Sequence, residues 1–405
     1  MENNHLFNFK NISVLLITYL ASFGLTYAFY PVSSNSPLVS PNANVDKDRV
    51  TAGFNQYADL PKTETCPING ALFSKEERAL WEQKRPILTM IENSLDARPQ
   101  SGLSFSDVVY EAVAEGGITR FMGVFYCGAQ ADKLSIGPVR SARIYFVNMA
   151  TEYNTPIYMH VGGGNCSRDE ASGQCTSNKK AWALEELQKL GWRKPGGNDF
   201  DTIGDIGKPV LSRDEDRLGR AVATEHTMMG SLPDAWHQAA KRGYTGVSAD
   251  GKTAWPTAFK SWKIGTPDTS KSTPATNISY DFWKNYPDFS VSWKYDPATK
   301  TYLRSQGSIA HIDHETKKQL SATNVIVQFA KEEGPLDDHK HMYYNVIGEG
   351  TGIYFHDGVA QEIKWKKAKQ MDRTIFTDTA SKEINFAPGQ FWISILPTGN
   401  KVIYN

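Results

Sequence analysis

Apolar and polar positions divide the chain into three regimes. Ile12 to Tyr30 (ISVLLITYLASFGLTYAFY) is almost wholly apolar, and no charged residue occurs from Asn11 to Val45. As a helix it would rise roughly 28 Å, about one bilayer core. This predicts a transmembrane anchor over residues 12–30 after a cytoplasmic N-terminus over 1–11, with Lys10 on the near side. A cleaved signal peptide, with Ala28 before the cut and Thr26 at minus three, is the competing reading. Either one exports the remainder of the chain. Residues 31–65 open with repeated Pro, Ser and Asn and show little periodicity, which predicts a disordered linker averaging about 30 Å end to end.

The second regime mixes periods. Ser74-Lys-Glu-Glu77 is a capping box that opens a helix to about Gln83. A strand follows near Pro86–Glu92. DVVYEAVAE and ITRFMGVFYC, parted by Gly116-Gly117, read as a hairpin over residues 107–127. Helices are predicted over Ser141–Tyr153, over Lys179–Leu190 and, started by Ser231 and Asp234, up to Gly243, with a strand at Ile157–Val161. Residues 192–225 are polar and Asp-rich, and read as irregular. Beyond about residue 270 only short β-rich runs recur, among them VSWKYD, NVIVQFA, QEIKWK and FWISILP. They predict a second, mostly antiparallel β domain, or a β layer completing the first. The fold class is α+β. A mixed α/β domain over 66–265 precedes a β domain over 266–405.

Charge adds little direction. Lys plus Arg and Asp plus Glu are 44 each in 405 residues, so no net field points to a nucleic-acid partner. The run Lys364, Lys366, Lys367 and Lys369 alternates like a strand and reads as a solvated face. Four cysteines, Cys66, Cys127, Cys166 and Cys175, suit disulfides in an exported chain. Three pairings exist. Cys166–Cys175 with Cys66–Cys127 is the simplest, and four free thiols are the alternative. No Cys-x-x-Cys spacing suggests zinc. Asn198, Asp199, Asp201 and Asp205 miss the EF-hand pattern at Ile203. Neither a metal nor a cofactor is expected.

The candidate chemistry lies in the hairpin and after it. If Gly116-Gly117 is a two-residue turn, residues whose numbers sum to 233 pair. Arg120 then faces Val113, diagonal to Glu111 and Glu115, and all share one face. Charges there are either paired with one another or form a site. Arg140 and Arg143, in Gly137-Pro-Val-Arg-Ser-Ala-Arg143, enter a helix where its dipole disfavours cations, so an anion should compensate. That anion is a core glutamate or a ligand carboxylate or phosphate. His160 ends a strand before Gly162-Gly163-Gly164. His226 precedes a helix. Glu111 and Glu115 would stand about 13 Å apart on a straight strand. A glycosidase dyad needs roughly 5–10 Å, so only a one-acid mechanism stays open. Gly-x-Ser-x-Gly, His-Glu-x-x-His and P-loop patterns are absent.

RPILTMIENSLDARPQSGLSFSDVVYEAVAEGGITRFMGVFY, IGPVRSARIYF and IYMHVGG resemble the N-terminal domain of the YerB-like lipoproteins. NVIVQFA, GEGTGIYFHDG and FAPGQFWISILP resemble the C-terminal domain. The resemblance spans about residues 66–400. It implies two adjoining domains at a bacterial surface, and carries over Arg98, Glu111, Glu115, Arg120, Arg140, Arg143, His160 and His226. Two departures stand out. No cysteine precedes Cys66, so a membrane helix would replace the family's lipid anchor. Glu225 and Thr227 flank His226 where the family has Pro and Asn.

The expectation is a single-pass membrane protein of the cell envelope with its globular part extracytoplasmic. It binds or processes peptidoglycan or another wall polymer; the alternative is a non-catalytic scaffold or protein-interaction module. Glu111, Glu115, His160 and His226 are the catalytic candidates. Arg98, Arg120, Arg140 and Arg143 are the ligand-binding candidates. Whether it is an enzyme stays open at this point.

Overall fold

The computed structural model describes Tyr57 and residues 59–405 apart from Ser167. The span expected over 12–30 and most of the linker over 31–65 lie outside the described residues. Among the described residues no helix is long and apolar enough to cross a membrane.

The chain is strand-rich and mixed. A twelve-stranded sheet runs through it. In chain order its strands are β1 (Ile87–Glu92), β2 (Val108–Glu115), β3 (Ile118–Phe125), β4 (Ile157–His160), β5 (Asp199–Asp201), β6 (Thr273–Pro274), β7 (Asn324–Glu333), β8 (Tyr343–Asn345), β9 (Gly348–His356), β10 (Val359–Lys367), β11 (Ile375–Thr377) and β12 (Phe391–Pro397). Their spatial order is β6-β10-β9-β7-β12-β2-β3-β1-β4-β5, with β8 on β7 and β11 on β10. The sheet joins the two halves of the chain where β12 lies parallel to β2. A separate antiparallel sheet orders Ile309–Ala310, Thr301–Gln306, Val291–Asp296, Asn277–Tyr280 and Val402–Tyr404, with Ser321–Ala322 alongside. So the β-rich second half both extends the first half's sheet and builds one of its own.

Five α-helices complete the described fold: α1 (Lys75–Trp81), α2 (Ile144–Ala150), α3 (Ala183–Lys189), α4 (Leu232–Lys241) and α5 (Trp255–Ala258). Ser74 and Glu77 close the capping box that starts α1, a device worth about 1 kcal/mol. Ser231 caps α4, which buries Leu232, Ala235, Trp236 and Ala239 at helical spacing. The helices expected before residues 154 and 190 are shorter α segments joined to 3-10 turns, Thr151–Tyr153 and Lys179–Ala181.

Every residue of β1 and all but the last of β2 are buried. Such strands are covered on both faces and therefore read as near-continuous apolar runs. On one face Tyr110 bonds Tyr153 just after α2, hydroxyl to hydroxyl, at 2.9 Å. On the other, Trp392 of β12 packs edge-on against Phe121 and against Trp293 of the second sheet, both at 5.4 Å. The molecule is thus layered: helices, central sheet, second sheet.

Both disulfides of the simplest pairing are present, Cys66–Cys127 and Cys166–Cys175. Cys66 and Cys127 also approach Asp107. With both sulfurs bonded to each other, that group offers no thiolate to a metal.

Candidate functional site

The hairpin decides which charges meet. Gly116 and Gly117 both have positive φ, +52° and +87°, as a two-residue turn of the favoured hand requires. Glu115 then pairs with Ile118, as the sum of 233 predicts. Farther from the turn the register departs from it. Ala112 faces Arg120 and Glu111 faces Phe121, because a bulge between Val113 and Glu115 adds one residue to β2. A bulge reverses the side-chain alternation. Glu115 therefore joins Arg120 on the helix side, and Glu111 goes to the opposite face. The expectation of one shared face is corrected.

Glu111 is fully buried and fully engaged. Arg304 donates to both its oxygens at 3.1 and 2.9 Å, Thr119 at 3.0 Å and Trp392 Nε1 at 3.0 Å. Arg304 itself lies 4.6 Å from the Trp392 ring. This is an ion pair inside the core, and it leaves no oxygen for a substrate. His311 completes the network. It accepts at Nδ1 from Arg304 and meets Gln100 at Nε2. Burial and the Arg304 charge hold its pKa well below the ordinary value.

On the helix side Glu115 accepts from Arg120 at 2.5 Å and from Arg143. Burial pushes its pKa up, but the two guanidinium charges outweigh burial and hold it down to about 2. A carboxylate so held carries no proton at neutral pH and makes a poor general acid. Arg120 also donates to the Ser141 carbonyl at 2.9 Å and Arg143 to the Ala142 carbonyl at 2.9 Å. Next along the seam, Glu92 sits directly opposite Arg120 at the end of β1. His226 Nδ1 stands 2.9 Å from Glu92 and Arg140 3.3 Å from it, while Ser94 donates to it at 3.0 Å. A three-stranded sheet of Ser135–Ile136, Met228–Ser231 and Leu211–Arg213 brings the His226 segment alongside Arg140. There Val139 N donates to the Met228 carbonyl at 2.7 Å. With Glu92 on Nδ1, the imidazole is oriented through that nitrogen.

Three guanidinium groups therefore face two carboxylates along one seam. Nε of Arg120 and of Arg143 is buried without an acceptor, and Arg140 Nε meets Glu92 without hydrogen-bond geometry. Buried donors left unmatched are rare and call for an explanation.

The remaining candidates go elsewhere. Arg98 donates to Asn93 and to the Asp288 carbonyl at 3.0 Å, and stacks on Phe289 at 5.0 Å. Burial, with Arg304 adding to it, pushes its pKa down to about 10. It links the two halves of the chain. His160 is fully buried between the Gly162 carbonyl at 2.7 Å and Asp199 at 2.5 Å. Two acceptors at its two nitrogens favour the imidazolium. Its pKa is raised: burial pulls it down, and the bond and charge of Asp199 outweigh that. Asp199 and Asp201 also receive Arg193 at 2.7 and 2.9 Å, and Asp205 pairs with Arg242 at 2.8 Å. These acids hold arginines. Lys367 corrects the solvated-face reading of its run. It is fully buried and pairs with Glu152 at 3.1 Å, because it falls in phase with buried Ile363 and Trp365.

Glu92, Arg304 and His341 were not singled out from sequence. Glu92 is the last residue of a predicted strand, and it gains meaning only from the Arg120 opposite. Arg304 lies 193 residues from Glu111, with no local signal. His341 forms a backbone bridge with Glu115. Its pKa is lowered by burial and by Arg143, against the pull of Asp337.

Residues 72–245 match the profile of a family described as a protein of unknown function (DUF3048), N-terminal domain, and residues 278–393 match its C-terminal domain. The Bacillus subtilis (strain 168) protein called "Putative lipoprotein YerB" is 27% identical over 339 residues, 84% of this chain and 88% of that protein. A crystal structure of the YerB protein from Bacillus subtilis superposes with a TM-score of 0.63 at 23% identity, covering 84% of this chain and 100% of that chain. At that identity the likeness speaks for the fold.

Proposed function

We propose, from the premise that the chain belongs to the YerB-like family of paired DUF3048 domains, that it is held at the outer face of a bacterial membrane and binds an oxyanion-bearing group of an envelope polymer. Three features support the location: a relative named as a lipoprotein, the apolar segment 12–30 as a single-pass anchor, and two disulfides. The binding role rests on one observation, the seam of Arg120, Arg140 and Arg143 with its unmatched Nε donors. Arginine forks suit carboxylate and phosphate. Peptide-stem carboxylates of peptidoglycan are the first ligand class to try. Arg140 is the rim contact, with its side chain 27% exposed, and His226 lies beside it at 12%. Glu115 and Glu111 serve as counter-charges in this reading rather than as proton donors.

The test sediments the full-length protein, in detergent micelles, with purified peptidoglycan. Arg140→Ala is expected to weaken binding about tenfold or more, the size of a lost charged hydrogen bond, with an unchanged melting temperature. Full binding by that variant would sink the assignment. Release of soluble fragments, lost in His226→Ala, would turn the binder into an enzyme. A scaffold reading draws on the other face, where Glu111 and Arg304 spend their charges on each other.

A further inference from the structure

The lysines of β10 have a setting that their spacing alone does not reveal. Lys364 and Lys366 are exposed on either side of buried Trp365. They stand on one wall of an open groove of about 930 Å³, whose charged lining also includes Lys260, Arg373, Glu349 and Asp372. Cations outnumber anions there. Glu349 reaches Lys366 at 3.2 Å, but both side chains are largely in water, where such a pair contributes little. Lys364 donates to the neutral Thr379 carbonyl at 3.1 Å. Arg373 lies beneath, its side chain 2% exposed, with one nitrogen 3.2 Å from Glu152 and its guanidinium carbon 3.5 Å from the centre of the Trp262 ring. Its Nε and Nη2 are buried with no acceptor. A low-dielectric floor of this kind focuses positive potential into a concave surface.

We propose that this groove binds a linear polymer carrying repeated phosphate groups. Lys260, Lys364 and Lys366 contact its phosphates as mobile point charges, and Arg373 supplies positive potential from below. Lys364 and Lys366 lie two residues apart on one strand, about 6.6 Å along it, so they can engage neighbouring phosphates of one chain. Concavity selects a chain over the plane of a bilayer. The groove shares no residue with the Glu92–Arg140 seam, so the two sites can fail separately.

The experiment holds the full-length protein in nanodiscs of zwitterionic lipid and titrates it with fluorescently labelled inorganic polyphosphate, read by anisotropy. Saturable binding is expected, falling steeply with salt. About three phosphate contacts to a single strand predict a log–log slope near −2. The double variant Lys364→Glu, Lys366→Glu should bind at least about tenfold more weakly, and Lys364→Arg with Lys366→Arg should bind like the parent. Unchanged binding in the glutamate variant overturns the proposal, as does a parent that ignores polyphosphate. Capture of the nanodiscs by phosphatidylglycerol vesicles without polyphosphate binding would likewise overturn it, in favour of a membrane-facing patch.

Discussion

Residues of one type take opposite parts here according to what surrounds them. His160 holds two acceptors and is driven toward its charged form. His311 shares its cavity with Arg304 and is driven toward its neutral one. The His160 pair has a consequence for stability. Its folded pKa is raised above the unfolded value of roughly 6.5, so its stabilisation is full below that pH and is lost as pH rises through the folded value. Melting temperatures of the parent and of His160→Gln, followed from pH 5 to 9, should converge as pH rises. One proton allows at most about 1.4 kcal/mol per pH unit. Parallel curves would show that folding leaves the His160 pKa unshifted, and a parent that gains on the variant as pH rises would show that His160 is uncharged in the fold. Much of this charged population is visible in the sequence as residues, since Arg120, Arg143 and Glu115 do meet. Their partners are not. Glu111 finds Arg304 and Glu152 finds Lys367 across about half the chain, and no local spacing encodes such a meeting.

At the scale of elements, the β2–β3 hairpin is legible because alternation and a Gly-Gly pair are local signals. Its bulge is not. VVYEAVAE alternates equally well with or without an extra residue, and both faces are buried, so burial does not discriminate. That single insertion decides which glutamate reaches the arginines. The turn itself is tightly specified. A Cβ on Gly117 would lie 2.4 Å from the Tyr286 ring, whereas one on Gly116 meets only Lys340 Cδ at 3.7 Å. Both positions have positive φ and cost about 1 kcal/mol as alanine. Gly117→Ala should cost roughly 1–3 kcal/mol more through overpacking, measured by denaturant midpoint. Equal losses for the two variants would mean that Tyr286 swings away freely.

For the whole molecule, the change of pattern near residue 270 marks a change of style rather than a break in hydrogen bonding. Antiparallel pairing between neighbours in sequence is readable from turns. The parallel contacts β7–β12 and β12–β2 are not, because they join segments with nothing between them that signals adjacency. Without β12, β2 would present an open edge, and Phe121 would lose Trp392. Expressed separately, residues 57–265 and 266–405 should each melt without a cooperative transition, and mixing them should restore one, measured by calorimetry. A cooperative transition in the first piece alone would show that its sheet closes without the second. The Cys66–Cys127 bond spans 61 residues and has a mechanical consequence. Tension arriving along the chain from the N-terminal side of Cys66 meets a covalent shunt two residues past the end of β3. The load passes to the chain just after β3, at Cys127. Helix α1, β1 and the β2–β3 hairpin lie within the shunted loop, so the covalent path bypasses the backbone that carries Glu92, Glu115 and Arg120, while Arg140 and Arg143 lie beyond it.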